Sequence, residues 1–355
     1  MAHLVRSDIE LAAAEHGPQL RYVAIEVALA VAAGMRGRNR RTPSGQARPR
    51  PQGSAVPPSG EQIEIAAGDL RAVVVEVGGG LRTFSAGGRE LLDGYEVDEP
   101  CTSGRGQVLI PWPNRLEDGA YEFEGRHHQL PLTEPDNRNA IHGLVRDAAW
   151  TVAEREPSRV VVKHDLEPQP GYPFSLALMI EYALSEGGLG VRTTAVNVGR
   201  EPCPYGSGAH PYLKVGAETV DGAILRAPGR TVLRSDERGL PVGAEPVEST
   251  RLDFRRPRAI EATRLDHAFT DLERGEDGLA RVELRDPRHP RGLTLWVDET
   301  YPYLQLFTGD PLPDVARHSL AVEPMTCPPN AFRTGEAVVR LEPGESFTSA
   351  WGIVP

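Results

Sequence analysis

From about Glu61 onward the chain alternates apolar and polar residues with the two-residue period of a half-buried strand, broken at short intervals by turn residues. Leu70 to Val77 is β-branched and ends at Gly78-Gly79-Gly80. Leu81 to Phe84 and Glu90 to Leu92 flank Gly87-Gly88 and predict a hairpin. Tyr121-Glu122-Phe123 followed by Gly125 predicts a shorter one, and Arg159 to Leu166 is a further Val-rich run. Phe174 to Leu184 and Leu189 to Asn197, on either side of Glu186-Gly187-Gly188, make the clearest hairpin in the chain. Arg281 to Leu284 is expected to pair with Leu293 to Val297, and Val338 to Leu341 and Phe347 to Ile353 sit either side of Glu342-Pro343-Gly344-Glu345. Helical periodicity is almost absent, and 37 Gly with 32 Pro supply turns throughout. Many short strands with frequent turns predict an all-β protein, a large antiparallel β-sandwich.

Residues 1–60 follow other rules. Ile9 to Ala33 is rich in Ala, Val and Leu and predicts a helix. Arg36 to Arg50 is crowded with arginines, and Pro43 to Gly60 has the Pro, Gly and Ser content of a disordered linker. The division is therefore a disordered or partly helical N-terminal extension, 1–60, and a β-sandwich domain, 61–355. Tyr22 to Ala32 does not make a signal peptide, because Glu26 interrupts it and Asp8, Glu10 and Glu15 replace the required basic start. It is also too short to span a bilayer, so a cytoplasmic location without a membrane partner is expected.

Charge and cysteine content narrow the function. The net charge of -11 repels phosphate backbones and disfavours nucleic acid as a partner. Cys101, Cys203 and Cys327 are widely spaced, so neither a zinc site nor a disulfide framework is indicated, and reduced thiols are expected.

Four stretches carry candidate chemistry. In IPWPNRLEDGAYEFEG, Asn114-Arg115 sets an amide beside a permanent charge after the rigid Pro111-Trp112-Pro113, and NAIHG then places His142 next to Gly143. GSGAHPY holds His210 before Pro211, and AVEPMTCPPNAF holds Glu323 before Pro324, so both side chains leave extended backbone. RLDHAF holds Asp266. Each piece alone is ordinary. In this order and spacing they resemble the aldose 1-epimerase (galactose mutarotase) family, in which N-R precedes G-x-Y-x-F-x-G, N-A-I-H-G follows, and L-D-x-x-F comes later. GRGQVLIPWPNR and AVEPMTCPP resemble a bacterial subgroup of that family.

The resemblance implies a galactose mutarotase-like supersandwich that interconverts the α and β anomers of a free hexose such as glucose or galactose. Anomer exchange needs one group to take the C1 hydroxyl proton and another to protonate the ring oxygen, and a carboxylate with a histidine suits that exchange near neutral pH. On the family's pattern Glu323 is the base and His210 the acid, His142 and Arg115 meet the sugar where charge develops, and Asp266 orients its hydroxyls. Asn114, Tyr212 and Gln305 are second-rank sugar contacts. No metal or organic cofactor is needed, and a monomer or weak homodimer is expected. His267, His289 and His318 match nothing and read as surface or structural residues, His127-His128 as strand packing, and the four tryptophans as core, with Trp112 also a candidate flat face for a sugar. Three alternatives stay open. They are a hexose 6-phosphate epimerase using residues such as Arg105, Arg138 or Arg146, a non-catalytic sugar-binding regulator, and a glycoside hydrolase using Glu323 and Asp266.

Overall fold

The computed structural model describes residues 56–355 except 217 and 289–291. The expected helix, the arginine-rich run and most of the linker lie outside the described residues, as does His289.

The β-sandwich expectation holds. Strand Leu176–Ser185 alternates in burial residue by residue, with Leu176, Leu178, Ile180, Tyr182 and Leu184 turned inward. It pairs with Gly188–Asn197 across the Gly187-Gly188 turn, as its sequence requires. These two strands are at the heart of a nine-stranded antiparallel sheet. Its order is Thr151–Glu156, Arg159–Leu166, Leu176–Ser185, Gly188–Asn197, Ser346–Val354, Gly292–Val297, Ala280–Arg285, Ile224–Arg226 and Arg258–Ala259. The expected pairing of Arg281 with the Trp296 strand is present. The two runs around Glu342-Pro343-Gly344-Glu345 do not pair with each other. Val339–Leu341 joins Cys203–Tyr205, and Ser346–Val354 inserts between Gly188–Asn197 and Gly292–Val297.

An eight-stranded sheet faces it. Its order is Pro241–Pro246, Gly229–Ser235, Asp266–Leu272, Tyr303–Phe307 and Leu320–Met325, then Gly208–Ala209 and Val108–Leu109, with Tyr212–Leu213 also pairing Leu320–Met325. Leu304, Leu306, Leu320, Val322 and Phe269 point from this sheet into one cluster with Leu178, Ile180, Val282, Leu295 and Trp351 of the other. Each such buried side chain contributes about 1.5–3 kcal/mol by leaving water, so this shared core holds the layers together. A four-stranded sheet, Gln62–Ala67 to Arg89–Glu90, adds Ile63, Ile65, Val74 and Phe84 to the same core. Upstream of it, Ser59 and Gly60 are already buried, and the Ser59 carbonyl accepts the Val77 N–H at 3.0 Å. The hairpins predicted at Gly87-Gly88 and Gly125 are present. Among the described residues the α-helix is one turn, Ala331–Thr334, and no helix is long and apolar enough to cross a membrane.

Candidate active site

Strand Leu320–Met325 is buried along its whole length. Leu320 and Val322 face the core, and alternation turns Ala321, Glu323 and Met325 to the other side of the sheet. Pairing then sets a polar row across the strands. Gln305 lies directly opposite Glu323, and Ala268 opposite Gln305. On the other flank Gly208 pairs with Met325 and Tyr212 with Ala321, so the register leaves His210 opposite Glu323. The ladder breaks there. The His210 N–H donates to the Gln107 carbonyl, and the His210 carbonyl accepts from Gly106. The row is walled by Leu233, Ala268, Tyr303 and Met325 on one side and by Tyr212, Val315, Ala321 and Phe307 on the other.

His210 Nε2 lies 3.3 Å from Glu323 Oε1, and the two residues are 5% and 2% exposed. Glu323 Oε2 and His210 Nδ1 have no protein partner, which buried polar atoms seldom tolerate and which leaves both for a ligand. Tyr212 stacks on His210 at 4.9 Å, and a Cβ on Gly104 would stand 3.1 Å from the imidazole ring. The ring is thus clamped between an aromatic face and a loop that needs glycine at that point.

Asn114 and His142 arrive on a second scaffold. Strands Arg115–Glu117 and Asn139–Ile141 pair, and just beyond their ends both residues adopt left-handed backbone, φ 56 and 63. This conformation is uncommon for non-glycine residues but more accessible to Asn and His than to most. Gly143 has no alternative, because a Cβ would fall 1.9 Å from the Ile110 carbonyl oxygen. The Asn114 N–H donates to His142 Nδ1 at 3.1 Å, while the His142 N–H donates to the Asn114 carbonyl at 3.0 Å. A backbone amide only donates, so Nδ1 accepts and the proton of neutral His142 sits on Nε2. Burial, helped by the charges of His210, Arg146 and Arg115, holds His142 well below the usual histidine range. It is therefore a neutral hydrogen-bond donor.

Arg115 is gripped by Glu134, which accepts from Nε at 2.9 Å and from Nη2 at 3.1 Å. Asn139 Nδ2 donates to the same carboxylate at 2.9 Å and to the Arg238 carbonyl, and Arg238 pairs with Asp118 at 2.9 Å. This ties the 235–239 turn down over Arg115. The turn, together with Asn114, Arg115, Asn137, Asp266, His267, Gln305 and Pro329, encloses a cavity of about 400 Å³. At its rim Gln305 Nε2 donates to Asp266 Oδ1 at 2.6 Å. Burial first, then Asp266, raises the Glu323 carboxyl well above its usual range, whereas Arg115 opposes the shift. Burial lowers His210 to about 3.

The family profile of aldose 1-epimerase matches residues 61–353 of the chain. The chain belongs to the aldose 1-epimerase family. It is 35% identical over 288 residues to the Escherichia coli protein YihR, covering 81% of this chain and 91% of YihR. The galactose 1-epimerase of Lactobacillus acidophilus superposes with a TM-score of 0.67 at 23% identity, covering 82% of this chain and 93% of that one. A GalM/aldose epimerase homologue from C. elegans gives 0.75 at 19% identity, over 83% and 98%. These structures share the fold, the galactose mutarotase-like sandwich expected from the motifs. The chain is accordingly an isomerase acting on carbohydrates.

Within this epimerase fold, Asn114, Arg115, Asp266 and Gln305 border the cavity, whereas His142, His210 and Glu323 do not border it and are tied to it through Gln305, which lies opposite Glu323. Tyr212 does not border the cavity, since its hydroxyl donates to the Ser103 carbonyl and its ring backs His210. Trp112 is buried against Phe332 and offers no face to a sugar. His267, read as surface or structural, borders the cavity, with Nδ1 accepting the Asp266 N–H. Glu134 and Asn139 were not singled out from the sequence; Asn139 stands inside the NAIHG motif, where its position alone was a signal. His142, His210 and Glu323 each bring a ligating atom within 4.8 Å of the others, the spacing of a metal site. A metal-bound histidine normally donates through its second nitrogen, whereas His142 Nδ1 accepts, so the set fits a hydrogen-bonded ligand better than an ion.

Proposed function

We propose that this epimerase acts as a mutarotase on a free, uncharged hexose such as glucose or galactose, with Glu323 and His210 exchanging the protons. The observation that carries the reading is the buried Glu323–His210 contact at 3.3 Å, one register position from Gln305. The pair shares one exchangeable proton and has two overall neutral forms. In the form that reacts with the closed ring, Glu323 is a carboxylate and His210 an imidazolium, reached from the uncharged pair by moving one proton across their 3.3 Å contact. Glu323 accepts the proton of the C1 hydroxyl while His210 donates to the ring oxygen, the C1–O ring bond breaks, and C1 becomes an aldehyde. Both residues are then uncharged, the state that burial favours. Rotation about C1–C2 and reversal of both transfers closes the ring on the other face. Arg115 favours the carboxylate form of Glu323, His142 Nε2–H donates to the sugar, and Asp266 with Gln305 holds ring hydroxyls.

The cavity argues against a 6-phosphate. Asp236, Glu237 and Asp266 border it with Arg115 and Arg238, and both arginines are already paired to carboxylates. Of the arginines considered for a phosphate, Arg138 is exposed and paired with Asp118, and Arg105 and Arg146 border a different cavity. A non-catalytic regulator has no use for a buried acid and base pair. Polarimetry on fresh α-D-glucose, α-D-galactose and α-D-glucose 6-phosphate decides the matter. Faster approach to equilibrium for a free hexose is expected, and a clearly higher kcat/KM for the 6-phosphate would refute the substrate class.

A further inference from the structure

A second cavity, of about 120 Å³, is bordered by Ser59, Tyr95, Cys101, Arg105, Gln107, Arg146 and Asp147 among others. It shares no bordering residue with the cavity at Arg115. Its two arginines differ. Arg105 is satisfied, donating to the Gly94 carbonyl at 3.0 Å and to Thr102, reaching Asp314 at 3.5 Å, and lying over the Tyr95 ring. Arg146 makes a long hydrogen bond, Nη1 to Gln107 Oε1 at 3.5 Å, and among the described residues it forms no ion pair. It is half-buried, and burial lowers its guanidinium from the usual range. Asp147 is close enough to oppose that shift but forms no ion pair with Arg146, so the partly desolvated guanidinium keeps N–H donors available to the cavity.

We propose that this cavity binds a small free oxyanion, such as inorganic phosphate or sulfate, on Arg146. A guanidinium supplies parallel N–H donors of the geometry that oxyanions accept, and Gln107 and Tyr95 border the same space. Asp147 also borders it and limits affinity by repulsion. The site communicates with the first one. The charge of Arg146 is felt at both His142 and His210, and the loop containing Gln107 holds the His210 backbone. An anion on Arg146 offsets that charge, so turnover should respond to its concentration.

The test is calorimetric titration of the full chain with phosphate and with sulfate, at ionic strength held constant with sodium chloride. Saturable binding is expected, abolished in Arg146→Gln and tightened at least about threefold in Asp147→Asn by loss of one nearby like charge. D147N keeps the proposal falsifiable if R146Q does not fold. Binding that is absent in the wild type, unchanged in folded R146Q, or not tightened in D147N overturns it. Saturating galactose should leave anion binding in place. Competition between the two, together with faster epimerisation of a sugar phosphate than of the free sugar, would instead make this cavity part of the substrate site. Because the titration needs no turnover, its result is independent of the assignment of Glu323 and His210. A mutarotation rate that is indifferent to bound phosphate would sever the proposed link between the sites.

Discussion

In the nine-stranded sheet, Leu176–Ser185 and Gly188–Asn197 run ten residues each in unbroken register, and the large apolar side chains Leu176, Leu178, Ile180, Tyr182, Leu184, Leu189 and Val191 are buried. In the eight-stranded sheet, Leu320–Met325 is six residues long and buried on both faces. Its neighbour is split into Gly208–Ala209 and Tyr212–Leu213 by His210-Pro211. In the first pair of strands the alternation of burial and the continuous register agree. The second sheet buries the Glu323 carboxyl, the His210 imidazole and the Gln305 amide on and beside one strand, and its backbone borrows partners from loops. Regular pairing supplies stability, and the interrupted sheet gives some of it up to hold a carboxyl and an imidazole away from water.

The largest effect should come from the interrupted sheet. Glu323→Gln and His210→Asn are each expected to lower kcat by at least about two orders of magnitude, as loss of a positioned acid or base does, with smaller changes in KM. Polarimetry corrected for spontaneous mutarotation reads this, and near-normal kcat in folded E323Q would remove Glu323 as the base. The same variant should melt no lower than the wild type, since it removes a buried ionisable group.

Leu178→Ala attacks the regular sheet at a residue 1% exposed. It should cost about 2–5 kcal/mol in chemical denaturation and leave kcat within about twofold. A matching collapse of kcat would show that the two sheets are not as separable as their construction suggests.

Glu134→Gln loosens the grip on Arg115 without emptying the space. About a tenfold loss of kcat/KM is expected from the misplaced guanidinium, carried largely by KM. Asp266→Asn should weaken binding and rate together because its role is orientation; an effect on kcat alone would reassign it.

The smallest effect is in the pH dependence of stability. His210 is lowered from 6.5 to about 3, so the unfolded chain takes up its proton first, and the fold loses stability as pH falls from about 6.5 towards 3. Glu323 is raised above 4.5, so its contribution is lost as pH rises above that value. Melting curves across this range should flatten on the acid side in H210N and on the neutral side in E323Q. Unchanged slopes would mean that neither group is held away from its ordinary value.

Elements with local causes were legible in the chain. The hairpin at Glu186-Gly187-Gly188, the Val-rich strand Arg159–Leu166 and the pairing around Trp296 follow from alternation and turn glycines, which act over a few residues. The motifs also carried most of the site by resemblance. The partners of Val339–Leu341 and Ser346–Val354 were not legible, because an exposed turn between two strands does not specify pairing when other strand edges compete for them.

What the sequence determined by itself was the sandwich class, the turn positions, the family and the residue types available for acid and base work, since each is written in local periodicity or in a motif. Tertiary structure alone decided how those residues act. The opposition of His210, Glu323 and Gln305 arises from pairing between strands that are distant in the chain, such as Gly208 with Met325 and Tyr212 with Ala321. The proton on His142 Nε2 depends on a backbone amide 28 positions away. The displacement of both groups of the pair from their usual pKa ranges depends first on burial. Desolvation and register are properties of the assembled sheet, and no single stretch of residues contains them.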